Sequence, residues 1–283
     1  MKSHPPSGSQ CTDTPVHFKS GDGQLVGMLH RPVSENRDPA VLFCNPFGDE
    51  RKSSCLRMAR LARHLARAGH PVLRFDYAGC GDSPGAFRDA TLSTRLADIR
   101  TAAGYLTENC SADDLCVLGL RLGALLAARA ARTIENCRSL ALLAPLQRGE
   151  EFVAEFLRRK RVREMITKAE GGTASAKKHG EVEDLDGYAV RPPVLDQLGE
   201  LSFDMSEPTG WRRALVVQIS FDEELRKETM GVLDALDSGG RRVTAKCLVL
   251  PPFWSRIDIT DASSLNRMVA EWLRGEVDGI TGC

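Results

Sequence analysis

A short apolar strand runs directly into a helix of small residues, and this passage constrains the fold more than any other part of the chain. Residues 116–127 read CVLGLRLGALLA, so that Gly119 and Gly123 stand on either side of Arg121. A wholly apolar strand is typical of a sheet that is covered on both faces. A helix that follows such a strand at once favours the repeated strand–helix units of a parallel sheet.

The same alternation of apolar strand and helix extends through most of the chain. An early hairpin is predicted for Val16–Ser20 and Gln24–Leu29, around Gly21-Asp22-Gly23. Further strands are predicted at 40–44, 71–75, 115–118, 139–144, 214–220 and 243–250. Helices are predicted between them at 54–68, 92–106, 121–132, 223–236 and 262–273. The pattern predicts an α/β fold whose central sheet is mostly parallel and is flanked by helices.

The alternation stops between residues 147 and 210, a charged segment without a clear sheet strand. We expect this segment to be a helical cap or lid inserted over the sheet, because lids lie on functional faces. The core then comprises residues 15–146 and 211–275. Residues 1–14 are expected to form a flexible tail and 276–283 a C-terminal tail.

Charge and cysteine content exclude several classes of function. The chain has 38 basic and 38 acidic side chains, so a general attraction to nucleic acid or to an anionic membrane is not indicated. No apolar run approaches the roughly 20 residues of a membrane span. The nine cysteines include no C-x-x-C pair, so we expect neither a zinc site nor a thioredoxin-type site. No other metal ion and no cofactor is expected. Reduced thiols and a cytoplasmic location fit this pattern best.

The turn at Arg121 has the frame of the motif G-x-S-x-G but lacks its serine. In that motif a sharp strand-to-helix turn, here called the elbow, presents a serine hydroxyl at its apex. The arginine that stands here stays protonated at any usable pH and cannot act as a nucleophile. The frame is therefore present without the attacking group.

Four features together resemble the α/β-hydrolase superfamily over roughly residues 16–275. These are the early hairpin, the loop CNPFG at 44–48, the segment FDYAGCGDSPG at 75–85 and the elbow frame. The motif GLRLGA, with PPFW at 251–254, resembles more narrowly the second of the two hydrolase-like proteins associated with exosortase A systems. A likeness of fold does not imply that this member hydrolyses a substrate.

The resemblance implies where a triad would lie, and two of its members are missing. Asp222 stands a few residues after the strand that would precede the acid. The histidine would follow the last strand, where residues 251–255 read PPFWS, and all six histidines lie at or before position 179. Ordinary Ser–His–Asp hydrolysis is therefore not expected.

Arg121 is the central candidate residue and allows two interpretations. At the N-terminus of a helix it would bind a carboxylate, phosphate or sulfate. Alternatively it pairs with Asp222 or Glu50 and closes the former site. The other candidate ligand-binding residues are Leu122, Asn45, Phe47, Phe253 and Trp254. Cys44 and Asp222 are the candidate catalytic residues, although a cysteine at the end of a buried strand is more often an inert core thiol.

Three functions follow from these residues. The first is a non-hydrolytic protein that binds an anionic acyl intermediate, free or carrier-linked, and acts with a catalytic partner in a biosynthetic pathway. The second is an enzyme of acyl transfer, thioester hydrolysis or cyclisation that uses Arg121, Asp222 and Cys44. The third is a structural pseudoenzyme. Expected partners are a second hydrolase-like subunit and an acyl carrier protein, in a homo- or hetero-oligomer. The basic run RRKR at 158–161 would dock the carrier; alternatively it is a solvated helix face.

Overall fold

An eight-stranded sheet forms the centre of the computed structural model, which describes residues 10–33, 35–169, 182–185, 187–203, 209–237, 241–255 and 260–277. The strands lie in the order β1-β2-β4-β3-β5-β6-β9-β10. Their bounds are β1 Cys11–Ser20, β2 Gly23–Pro32, β3 Ala40–Cys44, β4 Val72–Asp76, β5 Leu115–Leu120, β6 Cys137–Leu143, β9 Arg213–Ser220 and β10 Arg242–Val249. In this sheet β2 pairs antiparallel with β1 and with β4, and the remaining pairs, which join β4, β3, β5, β6, β9 and β10, are parallel. The predicted α/β fold is confirmed.

Helices cover both faces of this sheet, which explains why its central strands are apolar throughout. The helices are α1 Asp49–Arg67, α2 Leu92–Cys110, α3 Leu122–Ala131, α6 Lys227–Leu236 and α7 Ser263–Leu273. The helices α2, α3 and α6 pack into one hydrophobic cluster, through residues such as Ile99, Leu125 and Val232. The helices α1 and α7 pack into a second cluster on the other face, through Leu61 and Trp272.

The hairpin extends further than its apolar residues predict. β1 begins at Cys11 and β2 ends at Pro32, and Cys11 lies opposite Pro32 in the register. The first residues of β1 therefore belong to the stretch that was assigned to a flexible tail. Asp13 accounts for this extension, because its carboxylate bonds to the buried His30 ring at 2.6 Å and to Arg63 at 2.6 Å.

The segment predicted to be a cap is mostly helical where the structure describes it. It contains α4 Gly149–Ala169, the small hairpin β7 Glu183–Leu185 and β8 Tyr188–Val190, and α5 Pro192–Gly199. Its described residues contribute no strand to the eight-stranded sheet. Phe152, Phe156 and Leu198 are buried in the same hydrophobic cluster as α2 and α3. The role of this segment as a mobile cap stays a prediction.

Candidate functional site

The backbone turn at Arg121 is strained in the way that a sharp strand-to-helix passage requires. Arg121 joins β5 to α3 with φ 56° and ψ −124°, a conformation that is rare for any residue other than glycine. Its N–H donates to the Leu143 carbonyl at 3.0 Å, and its own carbonyl accepts from Ala124 N–H at 2.9 Å. The neighbouring strand and the first turn of the helix therefore hold the turn from both sides.

The two flanking glycines are required by close backbone approaches. A Cβ atom on Gly119 would collide with the carbonyl group of Gly123. A Cβ atom on Gly123 would collide with the Cys44 carbonyl oxygen, because β3 pairs beside β5 and its end meets the turn. The elbow, the end of β3 and the loop that follows it therefore pack without room for a further carbon atom.

The Arg121 side chain is held by two carboxylates and an indole ring. Its Nε donates to Glu50 Oε1 at 3.2 Å, and its Nη2 donates to Glu155 Oε2 at 2.7 Å. The guanidinium carbon lies 5.2 Å from the centre of the Trp254 ring, within the range of a cation–π contact. We call these four residues the elbow cluster. Only 12% of the Arg121 side chain is exposed to solvent.

The two carboxylates of the elbow cluster lie in different environments. Glu50 stands in the first turn of α1, and its side chain is almost fully buried. Burial raises the pKa of Glu50, the Arg121 charge opposes this shift, and the neighbouring Glu155 adds to it. Its second oxygen, Oε2, is buried and has no hydrogen-bond partner among the described residues. Glu155 on α4 is one-third exposed, so it is the carboxylate that solvent can reach.

The structure brings Trp254 to Arg121 but places the other candidate ligand-binding residues around the site rather than in it. Leu122 is fully buried in the core. The Asn45 amide donates to the Phe75 carbonyl at 2.6 Å, which fixes the loop after β3. Phe47 is buried and packs edge-to-face on Phe152. Phe253 is fully buried and packs edge-to-face on Trp254, with ring centres 5.5 Å apart.

Neither candidate catalytic residue contacts Arg121. Cys44 is fully buried, and burial raises the pKa of its thiol far above the usual range, so the reactive thiolate is suppressed. Asp222 is half exposed and forms an i,i+4 ion pair with Arg226. The partner of Arg121 is therefore Glu50, one of the two carboxylates that the sequence suggested, together with Glu155. Both catalytic assignments stay predictions, and the positions of Cys44 and Asp222 do not favour them.

Sequence reasoning missed two residues, and each left a signal. Glu155 follows Phe152 by three residues on α4 and so lies beside the buried face of that helix. Arg95 interrupts the apolar stripe of α2, between Leu92 and Ile99, and is only 2% exposed. A charged residue on a buried helical stripe is uncommon enough to mark a site in advance.

Two cavities lie near the loop after β3. One has a volume of about 470 Å³ and is lined in part by Pro46, Arg51 and Arg95. The other has a volume of about 380 Å³ and is lined in part by Asn45, Arg74 and Asp76. Arg121 lines neither of them. Within the described residues, no group of three or more His, Cys, Asp or Glu is placed to bind a metal ion.

Comparison with known proteins identifies the family. The family profile described as serine aminopeptidase, S33 matches residues 38–181, which is just over half of the chain. The chain belongs to this α/β-hydrolase family. No curated protein matches the chain. The matched residues run from β3 through the elbow into α4, and they therefore include three members of the elbow cluster.

Solved structures agree in fold. An esterase of Pyrococcus furiosus has a TM-score of 0.62 at 15% identity, over 94% of this chain and 91% of its own. Proline iminopeptidase of Mycobacterium smegmatis has a TM-score of 0.60 at 15% identity, over 93% and 98%. Mouse alpha/beta hydrolase domain-containing protein 10 has a TM-score of 0.55 at 13% identity, over 93% and 100%. At these identities the likeness shows the fold alone. In the described part of the chain, every helix is too short or too polar to cross a membrane.

Proposed function

We propose that this S33-family protein does not carry out ordinary serine hydrolysis and instead binds an anionic acyl intermediate. One observation carries the proposal: Arg121 lies at the apex of the strained elbow and is ion-paired to Glu50 and Glu155. We interpret Arg121 as a replacement for the family's serine and Trp254 as a replacement for its histidine. A hydroxyl nucleophile and an imidazole base are both absent from these positions, so the usual acyl-enzyme cannot form.

The ligand in this proposal takes the place of Glu155. Glu155 is the exposed member of the elbow cluster, and it reaches Arg121 from α4, in the segment predicted to be a cap. A carboxylate, phosphate or sulfate group of the ligand would accept from the same Arg121 nitrogen when α4 moves away. Glu50 would stay in place, because it is almost fully buried. The exchange keeps the number of charges at Arg121 constant and therefore costs little electrostatic free energy.

The exposed face of α4 supports a carrier protein as the partner. Val162, Met165 and Ile166 are 52%, 69% and 54% exposed, and their i, i+3, i+4 spacing places them on one side of α4. Arg158 and Arg161 on the same helix are also exposed. An apolar patch beside basic residues is complementary to an acidic carrier that presents an acyl group. We propose that the protein acts in the cytoplasm, as part of a biosynthetic pathway, together with a second hydrolase-like subunit that is catalytic.

The first test measures turnover and carrier binding with the purified protein. Short acyl esters and acyl-carrier thioesters are offered to the wild type and to Arg121→Ser, Cys44→Ala and Asp222→Asn. We expect no turnover by any of them. We also expect carrier binding that Arg158→Glu and Arg161→Glu weaken, whereas Arg100→Glu, an exposed charge reversal on α2, leaves it unchanged. Turnover that is lost in Cys44→Ala or Asp222→Asn would instead establish an enzyme with unusual catalytic residues.

A structural pseudoenzyme is the second candidate function. The paired state of Arg121 favours it, since both bonds of the guanidinium to carboxylates are already made within the chain. In that case neither ester turnover nor carrier binding will be detected. The protein will nevertheless lose stability when Arg121 is removed.

A further inference from the structure

Arg95 is a buried arginine that lies outside the elbow cluster. It occupies the second turn of α2, where its side chain points from the apolar stripe of the helix toward the loop after β3. The residue is 2% exposed. Its guanidinium carbon lies 4.6 Å from the Phe47 ring centre, 5.1 Å from that of Tyr77 and 5.2 Å from that of Phe87. Three aromatic faces therefore surround the charge.

No carboxylate neutralises this charge within the described residues. The one polar contact of the guanidinium joins Nη1 to the Cys80 sulfur at 3.9 Å, and its Nε and Nη2 are buried without an acceptor. Asp98, one helical turn on, instead accepts from the Ser20 hydroxyl at 2.9 Å and from Ala78 N–H at 2.9 Å. Aromatic rings offset part of the cost of a buried cation, but they supply no hydrogen-bond acceptor. A guanidinium also cannot escape that cost by losing its proton.

Arg95 is one of the residues that line the cavity of about 470 Å³. Three of its lining residues are aromatic, namely Tyr77, Phe87 and Tyr188, and the buried Tyr77 hydroxyl also lacks an oxygen or nitrogen acceptor among the described residues. Arg51 lies at the same wall but is ion-paired with Asp76. The cavity therefore offers one uncompensated positive charge at a buried position and apolar surface around it.

We propose that this cavity binds a small carboxylic acid with an apolar body, whose carboxylate pairs with Arg95. A planar carboxylate matches the fork of N–H donors that a guanidinium presents. Its single negative charge matches the one buried and unpaired guanidinium of the wall, whereas Lys52 on the same wall is exposed to solvent. The apolar body of the ligand then lies against Tyr77, Phe87 and Tyr188, as is usual for small-molecule sites. The site shares no residue with the elbow cluster and does not depend on the proposed function.

The test is a calorimetric titration of the full-length protein with octanoate, with octanol and inorganic phosphate as controls. We expect saturable binding of octanoate and no saturable binding of octanol or phosphate. Arg95→Met will weaken octanoate binding about tenfold or more, because it removes the charge but keeps a long apolar side chain. Arg95→Lys will weaken it less, since the charge remains but the planar fork is lost. Arg100→Gln, which removes an exposed charge on the same helix α2 but outside the cavity wall, will change the affinity little.

A separate measurement protects this test from a folding artefact. The thermal midpoint of ligand-free Arg95→Met is expected to equal or exceed that of the wild type, because a buried unpaired charge has been removed. Equal octanoate affinity in the wild type and Arg95→Met would overturn the proposal, and so would a large loss of stability in that variant. The double variant Arg121→Met/Glu50→Gln separates this site from the elbow, since octanoate binding should survive it even if carrier binding does not.

Discussion

At the scale of single residues, Arg121 forms ion pairs at the position where the motif places a nucleophilic serine. A serine at the apex of the elbow would leave the surrounding groups free to act on a substrate. The arginine there reaches both Glu50 and Glu155, and the Trp254 ring covers its guanidinium. These contacts connect the elbow to α1, to α4 and to the segment after β10. The side chain thus binds together the same segments that would otherwise line an active site.

Removal of Arg121 should therefore cost stability. In Arg121→Met the almost fully buried Glu50 loses the cation that lies against it. We expect the free energy of unfolding at pH 7 to fall by about 3 kcal/mol, as is usual when one partner of a buried pair is removed. Adding Glu50→Gln should recover most of this loss, because no buried charge then remains unpaired. Urea denaturation of both variants measures the two effects.

Glu155→Gln is the matched control for this experiment. Glu155 touches the same guanidinium but is one-third exposed, so its removal should cost less than about 1 kcal/mol. A small effect of Arg121→Met, comparable with that of Glu155→Gln, would contradict the argument. It would mean that Glu50 is already protonated at neutral pH. Burial raises the pKa of Glu50 and therefore favours the protonated form.

The reactivity of Cys44 offers a second prediction at this scale. Cys44 is fully buried and burial raises the pKa of its thiol, whereas the side chain of Cys55 on α1 is exposed. Iodoacetamide at pH 7.5 should therefore modify Cys55 within minutes and leave Cys44 unmodified until the protein unfolds. Peptide mass mapping of the native and the denatured protein distinguishes the two sites. Rapid native labelling of Cys44 would revive it as a candidate nucleophile.

At the scale of secondary-structure elements, the elbow depends on its glycines rather than on its apical side chain. Gly123→Ala would push a Cβ atom into the Cys44 carbonyl oxygen, where backbone and not a flexible side chain must move. We expect a loss of about 1–3 kcal/mol, the usual cost of overpacking a core. Thermal unfolding followed by circular dichroism measures it.

Gly104→Ala on α2 provides the opposite result in the same assay. Gly104 is exposed, and a Cβ atom there would meet no neighbour within 4 Å. Alanine should stabilise the helix by about 0.5–1 kcal/mol, because glycine loses more backbone entropy on folding. If Gly123→Ala behaved like Gly104→Ala, the close approach of the loop after β3 to the elbow would be refuted.

Strands that consist of apolar residues could be predicted from the sequence, whereas strands that are ordered by hydrogen bonding to a neighbouring strand could not. The strands β3, β5 and β9 are buried apolar runs, and the sequence predicts each of them to within a few residues. The start of β1 was missed, because its first residues are polar and are ordered by register with β2. The three-residue strands β7 and β8 were missed because such short pairs carry no periodic signal.

At the scale of the whole molecule, the candidate site was only half predictable, since its contacts join distant parts of the chain. Local sequence identifies Arg121 as the anomaly, and Glu50 was one of two suggested partners. Glu155 lies 34 positions after Arg121 in the sequence, and only the packing of α4 over the elbow brings its carboxylate to the Arg121 guanidinium. Among the described residues, seven cysteines are free thiols.

Buried histidines should make the stability of the whole molecule sensitive to mild acid. His30 is fully buried, accepts from Arg74 Nε at 3.1 Å and therefore donates from Nδ1 to Asp13 as a neutral ring. Burial lowers the pKa of His30, opposed by the bond to Asp13. Burial likewise lowers the pKa of His70, whose Nδ1 donates to the Pro39 carbonyl and whose Nε2 has no partner among the described residues.

The unfolded chain binds protons on these histidines at a higher pH than the folded protein does. As the pH falls below the unfolded-state pKa of about 6.5, the unfolded chain takes up protons that the folded chain excludes, so the free energy of unfolding decreases. The stabilisation that comes from keeping His30 and His70 neutral in the folded protein is complete above pH 6.5. It is lost as the pH falls through their lower folded-state pKa values. Each unit of pKa depression corresponds to about 1.4 kcal/mol.

Urea denaturation at several pH values between 7.5 and 5 measures this loss. We expect His70→Gln and His30→Gln each to flatten the dependence of unfolding free energy on pH, whatever they do to its absolute value. Gln24→Ala on β2, an exposed substitution that removes no titratable group, provides the control and should leave the slope unchanged. Comparison with the wild type cancels the opposite contribution of Glu50, whose raised pKa favours the folded state as the pH falls. An unaltered slope in His70→Gln and His30→Gln would show that these rings accept a proton in the folded protein as readily as in the unfolded chain.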